Sequence, residues 1–231
     1  MRVNLERANH LVTRVLSNPS ITIFTDANLF IPPDRSYLDK TIPPINFESY
    51  KADWLEPIFD SFSNLAIHES VYQELVRKDL LEYVQGKINS SPKLLRVCYD
   101  RELSNLESQL YSTYISKISV HTLYICEKDN KKDRGEVLTL AYMAVKEFPY
   151  FASNDAQVRR LIEQAEELNT GLDYFGFLSF YEILYFLNRK KCYSAKGLKK
   201  IYKYLYYLTK TERSTNPNWN EFVDRMRSLY D

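Results

Sequence analysis

ITIFTDANLF, residues 21–30, sets the reading of this chain. Ile21, Thr22, Ile23 and Thr25 are β-branched and Phe24 is large and apolar, the composition of a short buried strand. Asp26 follows directly at the carboxyl end of that strand. Ligands of parallel α/β sheets gather outside the carboxyl ends of the strands, so a polar residue there is a candidate for chemistry. A second stretch repeats the pattern. Tyr150–Ala152 reads as a strand, and Asp155 follows within three residues. Two strand-end aspartates of one parallel sheet can lie side by side.

Outward from these strands, the chain alternates helical and extended patterns. Apolar spacing predicts helices over 1–17, 54–62, 69–84, 93–117, 133–148, 155–168, 180–187, 197–208 and 219–229. In the third of these Val71, Leu75 and Val76 are the inward residues. In the fourth the stripe is Leu94, Leu95, Leu103, Leu106 and Leu110, with Pro92 opening the helix. In the fifth it is Val137, Leu140, Ala141, Ala144 and Val145. Short strands are predicted at 65–67 and 174–177, and 120–126 fits either strand or loop. Pro32, Pro33, Pro43 and Pro44 mark 32–48 as irregular. Strands separated by helices imply an α/β fold with a short, mostly parallel central sheet flanked by helices. The expected organisation is an N-terminal helical arm (1–20), a main domain (21–188) and a helical C-terminal extension (189–231).

Composition narrows the function. The chain has 231 residues, 45% of them hydrophobic and 26% charged, which is ordinary globular usage. Thirty-one Lys+Arg against thirty Asp+Glu leave a net charge of +1. The charge is unevenly spread: residues 189–231 carry a net +7 and residues 1–188 a net −6. A basic end can attract phosphates, and it can equally be a solvated helix face. Five glycines and the lack of GxGxxG or GxxxxGK[ST] argue against a Gly-rich nucleotide site. Cys98, Cys126 and Cys192 include no CxxC, and His10, His68 and His121 no HExxH, so a Cys-rich or HExxH-type zinc site is not expected. The N-terminus lacks an apolar leader pattern. The longest greasy stretch, 174–187, is too short to span a bilayer. A cytoplasmic protein without a membrane partner is the expectation.

Four segments place a carboxylate at or near a helix start beside a predicted strand end: TDANLF (25–30), HESVYQELV (68–76), DRGEVLTLAYMA (133–144) and FASNDAQVRRL (151–161). The candidates are Asp26, Glu74, Glu136 and Asp155, with Asp133 as a spare. Clustered carboxylates repel one another and take up protons unless a cation intervenes. Oxygen donors select a hard divalent ion, Mg²⁺ or Mn²⁺. Each residue also has a plain structural role to weigh. Asp26 and Asp155 can cap helices. Glu74 can pair with Lys78. Asp133 and Glu136 form the D-x-x-E pattern of a capping box, in which Asp133 is assigned to capping and Glu136 to the site.

These four segments, in this order, resemble the PIN-domain family of metal-dependent ribonucleases, which includes toxins of toxin–antitoxin pairs. DANLFI is similar to that family's first-strand aspartate motif, SVYQELV to its second-helix glutamate, the Gly135-Glu136 pair to its third acid, and FASND to its strand-then-aspartate motif with Ser153 in the hydroxyl slot. LNTGLDYFGFLSFYEIL resembles the closing strand and helix, with Phe175-Gly176-Phe177 in place of a Gly-Thr dipeptide. The resemblance spans roughly residues 21–188. It implies a PIN-like three-layer fold and an endoribonuclease holding Mg²⁺ or Mn²⁺ on Asp26, Glu74, Glu136 and Asp155. Implied partners are RNA, a protein antitoxin and a second copy of the chain in a homodimer.

Asn28, Arg134, Ser153 and Arg159 are the candidate substrate-contacting residues; a turn-stabilising role for Asn28 and a surface salt bridge for Arg159 are the plain alternatives. His68 and Cys126 read as structural. Tyr202, Tyr204, Tyr206 and Tyr207 interleave with Lys199, Lys200 and Lys203, which suits stacking on bases or an amphipathic helix. Two rival functions remain: a DNA-directed nuclease of related fold, and a catalytically silent module that binds RNA or protein.

Overall fold

The structure is a computed structural model that describes residues 2–38 and 43–231. Residues 39–42, within the stretch expected to be irregular, lie outside the described residues. In chain order the elements are α1 (His10–Ser17), β1 (Ile23–Thr25), α2 (Phe47–Tyr50), α3 (Glu56–Ser61), β2 (Leu65–His68), α4 (Glu69–Gln73) and α5 (Lys78–Ile88). Then come β3 (Leu95–Cys98), α6 (Asn105–Ser119), α7 (Arg134–Val145), β4 (Tyr150–Ser153), α8 (Ala156–Glu163) and α9 (Ala165–Leu168). The chain closes with β5 (Gly176–Ser179), α10 (Phe180–Arg189), α11 (Ala195–Tyr206), α12 (Lys210–Thr215) and α13 (Trp219–Tyr230).

The five strands form one sheet of order β3-β2-β1-β4-β5. It is an α/β sheet flanked by helices and parallel throughout, consistent with the PIN-like three-layer arrangement. Alternation of strand and helix forces this, because a parallel neighbour needs a crossover. The chain divides into two compact units. One comprises residues 21–31 and 63–177; the other comprises 1–20, 32–62 and 178–231. Residues 189–231, expected as an extension, thus share a unit with 178–188.

In the first unit β1 is central. It pairs with β2 (Ile23↔Leu65, Phe24↔Ala66) and with β4 (Phe24↔Phe151, Thr25↔Ala152). β2 in turn pairs with β3 from Leu65↔Leu95 to His68↔Cys98. The core holds Phe24, Ala66 and Phe151 from the strands with Val137, Leu140, Ala141 and Tyr142 from α7. Residues 137–144 are buried on every side of α7, as expected of a helix whose stretch VLTLAYMA is nearly all apolar. In the second unit the core is aromatic. Tyr202 stacks on Phe222 at 4.6 Å between ring centroids, and Trp54 meets Phe180 at 5.5 Å. Tyr202, Tyr204 and Tyr206 are buried while Lys200 and Lys203 are exposed, which realises the amphipathic reading of α11 for those tyrosines and not a base-stacking one.

Several expected elements differ. Residues 2–9 are not helical; α1 starts at His10, where the Asn9 side chain accepts the Leu11 N–H. The predicted 69–84 helix is two helices, and the chain turns outward after Leu75, leaving Val76 84% exposed. The predicted 93–117 helix is the strand β3 followed by α6, so Leu106 and Leu110 are exposed and not core. Of Leu95, Arg96, Val97 and Cys98 only Arg96 is exposed, and a four-residue strand segment is too short to outweigh the leucines around it. Residues 120–126 contain no strand. The helical run from 47 to 61, with a π-helical turn at Lys51–Leu55, begins earlier than the 54 expected, and α12 has no counterpart in the sequence reading.

Candidate metal centre

β1 ends in a 3-10 turn at Ala27–Leu29, capped by Asp26, whose Oδ1 accepts the Asn28 N–H at 2.9 Å. The Asn28 side-chain amide donates to Oδ2 at 3.2 Å. The β1–β4 register then brings Ser153 opposite Asp26, and the Ser153 hydroxyl donates to Asp26 Oδ2 in a short hydrogen bond. Ser153 Oγ also accepts the Asp155 N–H at 2.9 Å. That contact directs the hydroxyl proton toward Asp26. Asp155 caps α8, with Oδ1 accepting the N–H groups of Gln157 (2.6 Å) and Val158 (3.2 Å). Both aspartates therefore cap helical turns and stand at adjacent strand ends; the Asp155 cap uses Oδ1 alone, whereas at Asp26 both oxygens accept hydrogen bonds.

Glu74 ends α4 as its C-cap. The residue is exposed overall, yet its carboxylate lies over Gly135 so closely that a Cβ there would collide with Glu74 Oε1. Gly135 in the first turn of α7 thus makes room for the acid. The Glu74–Lys78 pair is not formed: α4 and α5 are separate helices, and Lys78 instead approaches Glu82 at 3.9 Å.

Glu136 sits in the first turn of α7. The expected capping box with Asp133 does not form. Asp133 is left-handed (φ 56°), whereas an N-cap needs extended backbone, and its Oδ2 accepts the Leu123 N–H at 2.8 Å instead. A true capping box lies at Ser104 and Glu107, opening α6.

Electrostatics tie the four acids together. Asp26 is 3% exposed. Burial, with the Glu136 and Asp155 charges, outweighs the Ser153 and Asn28 hydrogen bonds and pushes its pKa up to about 8. Burial of the Glu74 carboxylate and the Glu136 charge, opposed by Arg134, push Glu74 up to about 7. Glu136 is raised by burial and by the Asp155 and Asp133 charges, against Lys132. Among the described residues none of the four makes an ion pair. Nor do any three of them bring oxygens within 4.8 Å of one another; the set that does is His68, Glu69 and Asp100. The sequence reading missed that set because β3, which delivers Asp100, was hidden within a predicted helix.

Of the proposed substrate contacts, Asn28 and Ser153 bond to Asp26. Arg134 is anchored to Asp129 at 2.7 Å and approaches Gln73 at 3.5 Å, beside Glu74. Arg159 pairs with Glu163 along α8 at 2.8 Å. An oxygen-only set of carboxylates around the buried Asp26, none of them ion-paired among the described residues, fits a divalent cation. Ser153→Ala removes a hydrogen bond that favours ionised Asp26, so Mn²⁺ affinity is expected to fall about tenfold. Calorimetric titration of wild type and variant checks this; equal affinities mean that Asp26 is not a ligand.

Compared with known protein families, known proteins and solved structures, the chain matches none. Among the described residues no helix is long and apolar enough to cross a membrane.

Proposed function

We propose that the chain is a metal-dependent endoribonuclease whose site is built from Asp26, Glu74, Glu136 and Asp155. The observation that carries this reading is the buried Asp26 carboxylate, raised to about 8 beside Glu136 and Asp155 with no cationic partner among the described residues. Such an arrangement is costly for the fold and useful for holding a cation. Asp26 and Asp155 would hold Mg²⁺ or Mn²⁺ directly, and Glu74 and Glu136 would hold the ion or its waters. The chemistry the ion supplies is activation of water and compensation of charge on a phosphodiester. Ser153 and Asn28 fix the Asp26 carboxylate in one orientation. Arg134, held by Asp129, presents a guanidinium beside Glu74 for a substrate phosphate. RNA as substrate, an antitoxin and a homodimer rest on the PIN-family resemblance.

The test is cleavage of single-stranded RNA and DNA with Mg²⁺, Mn²⁺ or EDTA. Metal-dependent RNA cleavage leaving 5′-phosphates is expected. DNA cleavage alone would redirect the assignment to a DNA nuclease. The separation of the four acids favours a second reading, a silent binding module; RNA binding without Mn²⁺ binding would establish it.

Proton linkage gives a further check. Near pH 7 the folded protein holds a proton on Asp26 and a fractional one on Glu74, and a metal must displace them. Mn²⁺ binding is therefore expected to release between about one and two protons and to tighten from pH 6 to 8.5. Calorimetry in two buffers of different protonation enthalpy reads this directly. Buffer-independent heats at pH 7 contradict the assignment of Asp26 and Glu74.

A further inference from the structure

We propose that the adjoining C-terminal ends of β2 and β3 form a second cation site, in which His68, Glu69 and Asp100 hold one late first-row divalent ion, best matched by Zn²⁺. This inference does not rest on the nuclease reading.

Three ligand atoms, one from each residue, lie within 4.8 Å of one another. The His68↔Cys98 register sets Asp100 two residues beyond the end of β3, facing the imidazole. His68 Nε2 is 2.9 Å from Asp100 Oδ1. Its other nitrogen, Nδ1, is 2.7 Å from Ser70 Oγ. The ring is fully buried between Tyr142 and Tyr111, with centroids at 5.2 and 6.4 Å. Glu69 Oε1 accepts the Asp100 N–H at 2.7 Å. That bond holds the glutamate in place and leaves Oε2 for a ligand. The Asp100 side chain is 43% exposed and opens an entry path.

Tyr111 supplies an independent observation. The residue is 8% exposed, and its hydroxyl is buried without a hydrogen bond of acceptable geometry. Asp100 and Glu69 are the carboxylates it faces. An ordinary buried His–Asp hydrogen bond accounts for two of these residues. The Asp100 N–H bond accounts for Glu69, so what such a network leaves over is the buried Tyr111 hydroxyl, which faces both carboxylates without a well-formed hydrogen bond. A ligand between the carboxylates would give the hydroxyl a role, as donor to a carboxylate oxygen or a bound water.

The chemistry of the donors selects the ion. One imidazole and two carboxylates favour Zn²⁺ over Mg²⁺, and three protein ligands leave a fourth position open. Binding requires a neutral imidazole with Nε2 unprotonated. Without an ion, Nδ1 accepts the Ser70 N–H at 3.3 Å and Nε2–H donates to Asp100, so the ion must displace the Nε2 proton; a proton taken up at Nδ1 can then be donated to Ser70 Oγ and orient the ring. Bonds of about 2.0–2.2 Å put tetrahedral neighbours about 3.4 Å apart. The His68–Asp100 contact must then open by about 0.5 Å, a movement the exposed Asp100 side chain can make.

The test is a calorimetric Zn²⁺ titration of the EDTA-treated full chain, with exposed Cys192 replaced by Ser, in millimolar Mg²⁺. Histidine ¹⁵N signals are followed in parallel. One Zn²⁺ per chain is expected, with the His68 signals shifted and those of His10 and His121 unmoved. Asp100→Asn and Glu69→Gln should each weaken binding about tenfold or more, while Asp26→Asn should leave it unchanged. Equal affinity in wild type and Asp100→Asn, or unshifted His68 signals at saturation, overturns the proposal. Failure of the nuclease reading shows separately, as Mn²⁺-dependent cleavage that survives Asp26→Asn.

Discussion

Asp26→Asn is expected to lower Mn²⁺-dependent cleavage about a thousandfold or more while stabilising the metal-free protein at alkaline pH. The activity loss follows from removing the anion at the centre of the carboxylate set. Several kcal/mol of charge stabilisation at a metal site corresponds to about three powers of ten in rate. The stability gain follows from proton linkage. Asp26 has a folded pKa of about 8 against an ordinary 3.8. Below pH 4 both states are protonated and the group contributes nothing. Between pH 4 and 8 the folded state keeps a proton that the unfolded state has lost, so stability falls as pH rises. Above 8 both are ionised and the penalty is complete. At about 1.4 kcal/mol per unit, the full penalty is on the order of several kcal/mol. Asparagine escapes it, though its amide nitrogen replaces one of the two oxygens that accept from Ser153 and Asn28. Denaturation midpoints at pH 5 and pH 9 measure the difference. A variant less stable than wild type at both pH values, or one that still cleaves at the wild-type rate, removes Asp26 from the site.

Gly135→Ala is expected to separate activity from stability. The new methyl group would meet Glu74 Oε1 first, with Glu74 Cδ at 3.2 Å and Val71 Cγ2 at 3.6 Å. The nearest atom is the end of a flexible side chain that opens to solvent, so Glu74 swings away and the α4–α7 packing survives. Alanine also favours helix over glycine by up to about 1 kcal/mol, which offsets residual crowding. Stability should therefore stay within about 1 kcal/mol of wild type. Mn²⁺ affinity should fall about tenfold, as in Glu74→Gln. A variant with wild-type metal affinity would leave Gly135 a packing position only, and Glu74 outside the site.

Residue type and short-range pattern already pointed to much of this. The β-branched run before Asp26, the strand before Asp155 and the apolar helix after Glu136 each stand within one segment. Their structural signals are local: β-branched and apolar runs and caps. Where local signals conflicted, the reading failed. Leu94, Leu95, Leu103, Leu106 and Leu110 imitate a helical stripe, yet tertiary pairing turns residues 95–98 into the edge strand β3 and leaves Leu106 and Leu110 exposed. The D-x-x-E pattern at 133–136 imitates a capping box, but the left-handed backbone of Asp133 aims its carboxylate at Leu123. The same type of pattern at Ser104–Glu107 works because Ser104 is extended.

By itself the sequence determined that this chain builds a parallel α/β sheet and carries acids just beyond two of its strands, since strand character, helix character and residue chemistry are written within a few neighbouring positions. Only the tertiary structure decided what each acid meets. The β1–β4 register set Ser153 against Asp26, the approach of α4 to α7 laid Glu74 over Gly135, and the pairing of β2 with β3 brought Asp100 to His68. These contacts join residues 32 to 127 positions apart. They depend on register and close packing, which no local periodicity encodes.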